Sequence, residues 1–361
     1  MPTLDVDHTT NQSAPPRRSR AGVRAGTAFV LALVLLALTI VMAAGMGTNH
    51  YSARQVLRAA MHGPPTDTDV DADDVVVTVW LLRLPRILLA ALVGGSLAAA
   101  GVALQCLLRN DLSDPYVIGV SSGASVGAEA VLMRHADDKA HGFAVPIAAF
   151  AAGLATIGAV YAIARRGGQV QVRTMLLAGV IVSSFLGAVS TLLLELGNPS
   201  DSFHILMRLM GSLQDASLDN VRWVGGILVL ALVALSTQAS AMNVFALGEE
   251  QAAQLGVEVE RFKTVMITAS AMLTAASVAF AGVIGFVGLV VPHMTRRIAG
   301  TPDHRRVLPL ATVLGAILLV WADTIARSIM HTAQELPVGV VTAFVGAPFF
   351  CYLLRRRMST G

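Results

Sequence analysis

Few residues in this sequence could do chemistry, and they form no catalytic pattern. Asp323 and Arg327 lie one helical turn apart, which predicts a local ion pair. Glu195 and Glu335 stand at the ends of apolar runs, where we expect solvated carboxylates, and His293 could cap a helix or contact a substrate. The sequence has no phosphate-binding loop of the Gly-x-x-x-x-Gly-Lys-Ser/Thr type and no Gly-x-Ser-x-Gly elbow. We therefore predict that the chain is not an enzyme and does not itself hydrolyse nucleotide.

Between residues 223 and 295 the charges are confined to one polar stretch, residues 247–263. It holds the neighbouring carboxylates Glu249 and Glu250, whereas residues 223–246 before it and 264–295 after it contain no Asp, Glu, Lys or Arg. Both flanks are long enough to cross a bilayer. The stretch between them must therefore lie at an aqueous face.

Composition places the chain among polytopic helical membrane proteins. It is 55% hydrophobic and 14% charged, with a mean hydropathy of +0.66, whereas about a quarter of the residues of soluble domains are charged. The apolar runs are too long for the strands of an outer-membrane barrel. The net charge is +3, and the basic residues stand at the ends of apolar runs, so they indicate membrane orientation rather than nucleic-acid binding.

Hydropathy predicts ten spans and both termini on one side. The spans are 27–47, 84–108, 115–133, 142–164, 174–196, 221–243, 264–281, 284–300, 307–330 and 337–354. With the N-terminus inside, most of the 26 Lys and Arg fall on the cytoplasmic side. We predict a disordered cytoplasmic tail over 1–26, one transmembrane domain over 27–357 and a cytoplasmic tail over 358–361.

Glycine and proline predict close helix packing and two broken helices. Small residues fill 94–101, which lets helices approach closely in lipid. Breaks are predicted at 110–127 and at 282–293, one in each half of the chain. Paired interruptions of this kind indicate inverted half-repeats around a central pathway.

Nine basic residues remain on the predicted outer side. They are Arg54, Arg58, Arg83, Arg86, Arg134, Lys139, Arg208, Arg222 and Arg327. One interpretation is that they anchor span ends by reaching into the headgroups. The other is that they form a cationic surface for an acidic partner, and the pattern alone leaves both open.

Several long motifs, in order, resemble one family. They are Arg83-Leu-Pro-Arg86, Gln105 to Pro115, Gly119-Val-Ser-Ser-Gly-Ala, Leu247-Gly-Glu-Glu to Leu-Gly256, the Gly-rich run 282–293, and Glu335-Leu-Pro-Val-Gly to Gly-Ala-Pro-Phe349. This set is similar to the permeases of ABC importers for iron siderophores, haem and cobalamin, over about residues 27–357. The chain departs from the family pattern at Asp111, where proline is common.

The resemblance implies an all-α fold of the type II importer permeases, with about ten spans, and a homodimer in a bacterial inner membrane. Two ATP-binding cassette ATPase subunits would use ATP and Mg inside, a periplasmic or lipid-anchored substrate-binding protein would dock outside, and the chain would bind no cofactor or nucleic acid. Transport would proceed by alternating access. We expect a ferric siderophore as cargo, with haem or cobalamin as alternatives. An ion-coupled secondary transporter is the rival class, but it needs buried acids that the predicted spans lack.

The resemblance also implies roles for particular residues. Residues of a pair of short coupling helices within 247–263 would contact the ATPase: Gly248, Glu249, Glu250, Ala253, Leu255 and Gly256. Acids are favoured at a helix N-terminus, and glycine suits the left-handed residue after a helix C-terminus. Outside, Arg83, Arg86 and Arg327 would receive acidic residues of the binding protein, with Arg54 and Arg58 as helpers.

Overall fold

The fold of the described residues is a bundle of helices with one short hairpin. A computed structural model describes residues 18–47, 51–63, 74–133, 143–197, 207, 209–329 and 335–358. The α-helices are α1 Arg18–Gly45, α2 Ala53–His62, α3 Asp74–Val77, α4 Leu84–Leu107, α5 Val120–Leu132, α6 Ala144–Ala164, α7 Val172–Leu196, α8 Leu218–Thr237, α9 Ala239–Phe245, α10 Glu249–Gln254, α11 Val259–Ala281, α12 Val287–Ala299, α13 His304–Ile329 and α14 Val338–Met358. Strands β1 Arg165–Arg166 and β2 Gln169–Val170 pair antiparallel between α6 and α7.

The prediction of a polytopic helical membrane protein is confirmed. Within the described residues, seven helices are long and apolar enough to cross a membrane. The third and eighth predicted spans instead contain the short helices α5 and α12, of 13 residues each. The tenth contains α14, which holds the shorter apolar segment Val338–Cys351.

The first helix begins earlier than predicted. Residues 18–26, which we assigned to the tail, form the first turns of α1, and residues 1–17 lie outside the described part. Arg24 explains the extension, because its guanidinium donates to the carbonyl of Ile298 at 3.1 Å and to that of Arg297 at 3.4 Å. These carbonyls end α12, where a cation is favoured. Hydropathy misses such a turn because a distant contact holds it in place.

Helix α4 lies at the centre of the bundle. It packs against α8, α11, α12 and α13, and a six-residue π-helical segment, Thr78–Arg83, joins it to α3. The predicted close approach through small residues is confirmed. A Cβ built on Gly94 would overlap the carbonyl of Gly315 in α13, and one built on Gly101 would overlap that of Gly288 in α12.

The two predicted broken helices are present, and they meet. The first break is the 3₁₀ turn Pro115–Ile118, followed by Gly119 at φ +85°. The second runs from Gly282 at φ +69° to the start of α12. The hydroxyl of Tyr116 donates to the carbonyl of Ile284 and accepts from its N–H, both at 3.1 Å. The 13-residue helices α5 and α12 follow the two breaks, as half-repeats predict.

Candidate coupling and docking sites

Helix α10 is a short helix of six residues. In the chain it lies between the long helices α8 and α11, directly after the short helix α9. Gly248 precedes it at φ +141°, and Glu249 and Glu250 form its first turn, as predicted. Gly256 ends it at φ +84°, which confirms the predicted left-handed residue. The N–H of Val257 donates to Ala252 O at 3.0 Å, so the end is closed by a six-to-one hydrogen bond.

The predicted pair of short helices is displaced along the chain. Within 247–263 the structure has one short helix, α10, and from Val259 the chain already belongs to α11. The second short helix, α9, precedes the stretch. Helix α9 follows α8 directly and packs on the bundle through its apolar side, because Met242 and Phe245 are buried.

The α10 side of the molecule forms an acidic groove. Its volume is about 820 Å³, and its lining comprises Gln169, Glu249, Glu250, Ala253, Val257, Glu258, Val259, Glu260 and Arg261. Of the site residues named from the sequence, Glu250, Ala253, Leu255 and Gly256 are exposed, whereas Gly248 is buried. The guanidinium of Arg261 lies 3.5 Å from Glu258, and the ammonium of Lys263 pairs with Glu249 and Glu260, so two cations stand against the four carboxylates and the groove keeps a negative balance. The surface is thus suited to a cationic partner.

One charge in this region was not expected from the sequence to be buried. The side chain of Lys263 is 2% exposed, and its ammonium lies 2.5 Å from Glu249. The N-terminal turn of α10 is therefore tied by an ion pair to α11.

At the N-terminal end of α4, Arg86 lies between two carboxylates. Its guanidinium binds Asp323 through Nε at 2.9 Å and Nη2 at 2.8 Å, and Nη1 lies 2.7 Å from Glu335. Asp323 is 1% exposed and Glu335 is 30% exposed. Gln214 donates to Glu335 at 3.2 Å. Glu335 is thus only partly solvated, because Arg86 holds it at the bundle.

The other two predicted docking arginines are also buried. Arg83 donates to the carbonyl of Ala44 at 2.6 Å and stacks over Tyr51, with 4.7 Å between its guanidinium carbon and the ring centre. Arg327 donates to the carbonyl of Ala43 at 2.7 Å. The predicted pair of Arg327 with Asp323 is present, with the two charges 3.7 Å apart. The structure thus brings Arg86 and Arg327 together on Asp323, and it places Arg83 and Arg327 on the last carbonyls of α1.

Among the described residues, the exposed cations of the predicted outer side are Arg54 and Arg58, which we named as helpers, and Arg222, which pairs with Asp219 at 2.7 Å. Helix α2 carries Arg54 and Arg58 on its exposed face, and Ser52 caps it with a capping box to Gln55. Residues Arg134 and Lys139 lie outside the described part. The expectation that the predicted spans lack buried acids is wrong, because Glu129 in α5 is 0% exposed and accepts a hydrogen bond from Ser190, and Asp323 in α13 is 1% exposed.

A membrane bundle with a broken helix in each half, and with short helices between two spans at an aqueous face, defines a transport permease rather than an enzyme. Its two breaks meet through Tyr116 and Ile284. The comparisons with known proteins agree. A profile of the FecCD transport family matches residues 34–356, and the chain belongs to this family of ABC transporter permeases. It is a transport subunit, and in such importers a separate ATPase hydrolyses the ATP.

Individual relatives span most of the chain. The cobalamin import system permease protein BtuC of Halobacterium salinarum is 44% identical over 281 residues, which are 78% of this chain and 74% of that protein. The hemin transport system permease protein HmuU of Yersinia pestis is 35% identical over 328 residues, 90% and 94% of the two chains. A solved structure described as an inward-facing metal-chelate type ABC transporter aligns with a TM-score of 0.77 at 27% identity, covering 92% and 99%.

Proposed function

We propose that the chain is the transmembrane subunit of an ATP-driven importer of a metal chelate. It would act as a homodimer in a bacterial inner membrane, with both termini cytoplasmic and two ATPase subunits that use ATP and Mg. The observation that carries this proposal is α10, Glu249–Gln254, whose exposed residues lie at an acidic groove formed with the start of α11. A soluble partner that binds such a short helix at an aqueous face can move it, and the helix would pass the motion to the spans to which it is joined.

The homodimer is supported by an uncovered apolar face. In α7, Leu177, Ile181 and Phe185 are each more than 60% exposed in the single chain. In α14, Phe344 is 78% exposed. Two copies joined along such faces would enclose a pathway between them, with lipid covering the remaining apolar surface.

The cargo is proposed as a ferric siderophore, with haem and cobalamin tested beside it. The relatives named for cobalamin and for hemin transport, and the solved structure described as a metal-chelate type transporter, support a bulky chelate. The ion-coupled alternative is separated from this proposal by its energy source.

The deciding experiment is reconstitution in liposomes with the ATPase and binding protein encoded nearest to the chain. We expect uptake of one of the three chelates that requires ATP, both partners and no ion gradient. Uptake by the chain alone under a proton or sodium gradient would contradict the proposal. The three cargoes run in parallel identify the substrate.

Docking of the binding protein at Arg83, Arg86 and Arg327 stays a proposal. In the structure Arg83 and Arg327 are buried and Arg86 is 11% exposed between two carboxylates, so at Arg86 a partner carboxylate must take the place of a present one. Glu335 is the exchangeable group, because it is the more exposed of the two acids on Arg86. Arg54 and Arg58 on α2 would steer the encounter, as exposed charges raise association rates.

The substitution Glu335→Gln is expected to tighten binding-protein docking about threefold at low salt. It removes the internal competitor for Arg86 while keeping the size of the side chain. Exposed ion pairs are worth about 0.2–1 kcal/mol, and Glu335 keeps 30% of its side chain exposed. The measurement is the dissociation constant of the loaded binding protein from the permease in nanodiscs. Glu195→Gln is the matched control, since Glu195 is exposed near the same predicted face, at the end of α7. Unchanged or weaker docking in Glu335→Gln alone would count against the exchange.

A further inference from the structure

Lys263 uses all of its hydrogen-bonding capacity on protein oxygens. Its ammonium donates to Glu249 Oε1 at 2.5 Å, to Glu260 Oε1 at 3.0 Å and to the carbonyl of Val170 at 2.9 Å. An ammonium has three donors, so none is left for water. A buried charge is tolerated only where such partners offset its desolvation. The three oxygens are therefore fixed relative to one another through one nitrogen.

The three oxygens belong to three different elements. Glu249 is in α10, Glu260 is in the first turn of α11, and Val170 is in β2 of the hairpin that joins α6 to α7. Glu260 also accepts the N–H of Val170 through its second oxygen at 2.8 Å. The hairpin is thus held through the backbone N–H and the carbonyl of Val170.

The elements joined at Lys263 differ in how firmly the bundle holds them. Helix α11 is anchored in the core, since 72% of its most hydrophobic 18-residue segment is buried. The ring centre of Phe262 also lies 4.7 Å from that of Phe245 in α9. Helix α7 is buried over only 11% of its corresponding segment in the single chain, and its exposed face is the one proposed to meet the second copy. Lys263 therefore joins α10 to one helix in the core of the chain and, through the hairpin, to another at its surface.

We propose that Lys263 is a positioning residue that transmits the displacement of α10 to α11 and, through the hairpin, to α7. The proposal rests on the proposed function, because the displacement would come from the ATPase at α10. In this arrangement the coupling helix moves two spans at once. A merely structural Lys263 would affect thermal stability but not the ratio of transport to ATP hydrolysis.

The first test measures the link within the chain and needs no partner. Spin labels are placed at Arg166→Cys in the hairpin and Gln254→Cys in α10, both exposed, with Cys351→Ser to remove the exposed native thiol. We expect one narrow distance distribution with Lys263, and a distribution broadened at least about twofold in Lys263→Met. Glu249→Gln is the second variant, since Glu249 is 45% exposed and its replacement leaves the buried acceptors in place. A width unchanged in both variants would overturn the proposal.

The second test measures coupling in the reconstituted complex. Lys263→Met is expected to keep ATP hydrolysis within about twofold and to lower cargo transported per ATP about tenfold, in the range of coupling between linked sites. Lys263→Arg should restore most of this ratio, and Arg166→Met is the matched control for loss of an exposed cation in the hairpin. A ratio within twofold of the unmodified chain in Lys263→Met would refute the role. If the unmodified complex shows no ATP-driven uptake, the proposed function fails instead, and the distance measurement decides on Lys263.

Discussion

Replacing Glu249 and Glu250 together by arginine is expected to abolish ATPase association and to lower ATP-driven uptake at least about a hundredfold. Both acids belong to the first turn of α10 and face the acidic groove. A partner suited to this surface carries cations, and like charges placed opposite each other in an interface cost several kcal/mol. Since 1.4 kcal/mol is about tenfold in an equilibrium constant, two reversals suffice for the expected loss. Co-purification of the ATPase with the tagged permease measures the first effect and liposome uptake the second.

Single variants separate this effect from damage to the fold. Glu249→Arg would set a second cation against the buried Lys263, so part of its effect would be local repulsion. Glu250→Arg avoids this, because Glu250 is exposed. We expect Glu250→Arg alone to weaken ATPase association at least about tenfold with the melting temperature unchanged. Association and uptake that survive the double reversal would show that α10 is not the coupling element.

The second large effect is expected at Gly101. The substitution Gly101→Val would push a Cβ into the carbonyl of Gly288, where α4 and α12 meet backbone to backbone. A backbone contact cannot turn aside as a flexible side chain does, so we expect a cost of about 3 kcal/mol, at the upper end for overpacking. The temperature at which half of the detergent-purified protein remains monodisperse should fall by at least about 5 °C. Fluorescence-detected size-exclusion chromatography after heating gives this value.

A matched glycine controls for the added side chain itself. Gly158 in α6 is exposed, and a Cβ built there meets nothing within 4 Å. Gly158→Val should leave the melting temperature within about 2 °C. Equal stability of the Gly101 and Gly158 variants would mean that the close approach of α4 and α12 does not contribute to stability.

The elements that sequence predicted well depend on local backbone chemistry. Gly256 was predicted as a left-handed residue because few other residues end a helix in that way, and its φ is +84°. The break at Gly282 was predicted in the same manner, from glycine spacing. The small residues around Gly94 and Gly101 predicted close helix contacts because lipid-embedded helices need them. In each case the residue type limits its own conformation or its nearest neighbour.

What the sequence could not predict depends on contacts between residues far apart in the chain. Arg86 and Asp323 are separated by 237 positions, and nothing in either neighbourhood shows that they pair. The same holds for Lys263, whose acceptor Val170 is 93 positions away. Motif resemblance marked Arg86 as part of an outer surface, whereas its burial follows from the packing of α4 against α13. The folded bundle therefore decides which predicted surface charges reach a partner directly.

Tyr116 of the first broken helix is hydrogen-bonded to Ile284 of the second and so joins the two halves of the bundle at one atom. One phenolic oxygen satisfies both the N–H and the carbonyl of Ile284, so a single side chain closes two backbone groups that the second break leaves open. If the halves rock against each other, they must either turn about this atom or give up both bonds in one step. Phenylalanine at this position would keep the aromatic ring and lose both hydrogen bonds. Whether these bonds persist therefore indicates whether the two halves have moved apart at this point.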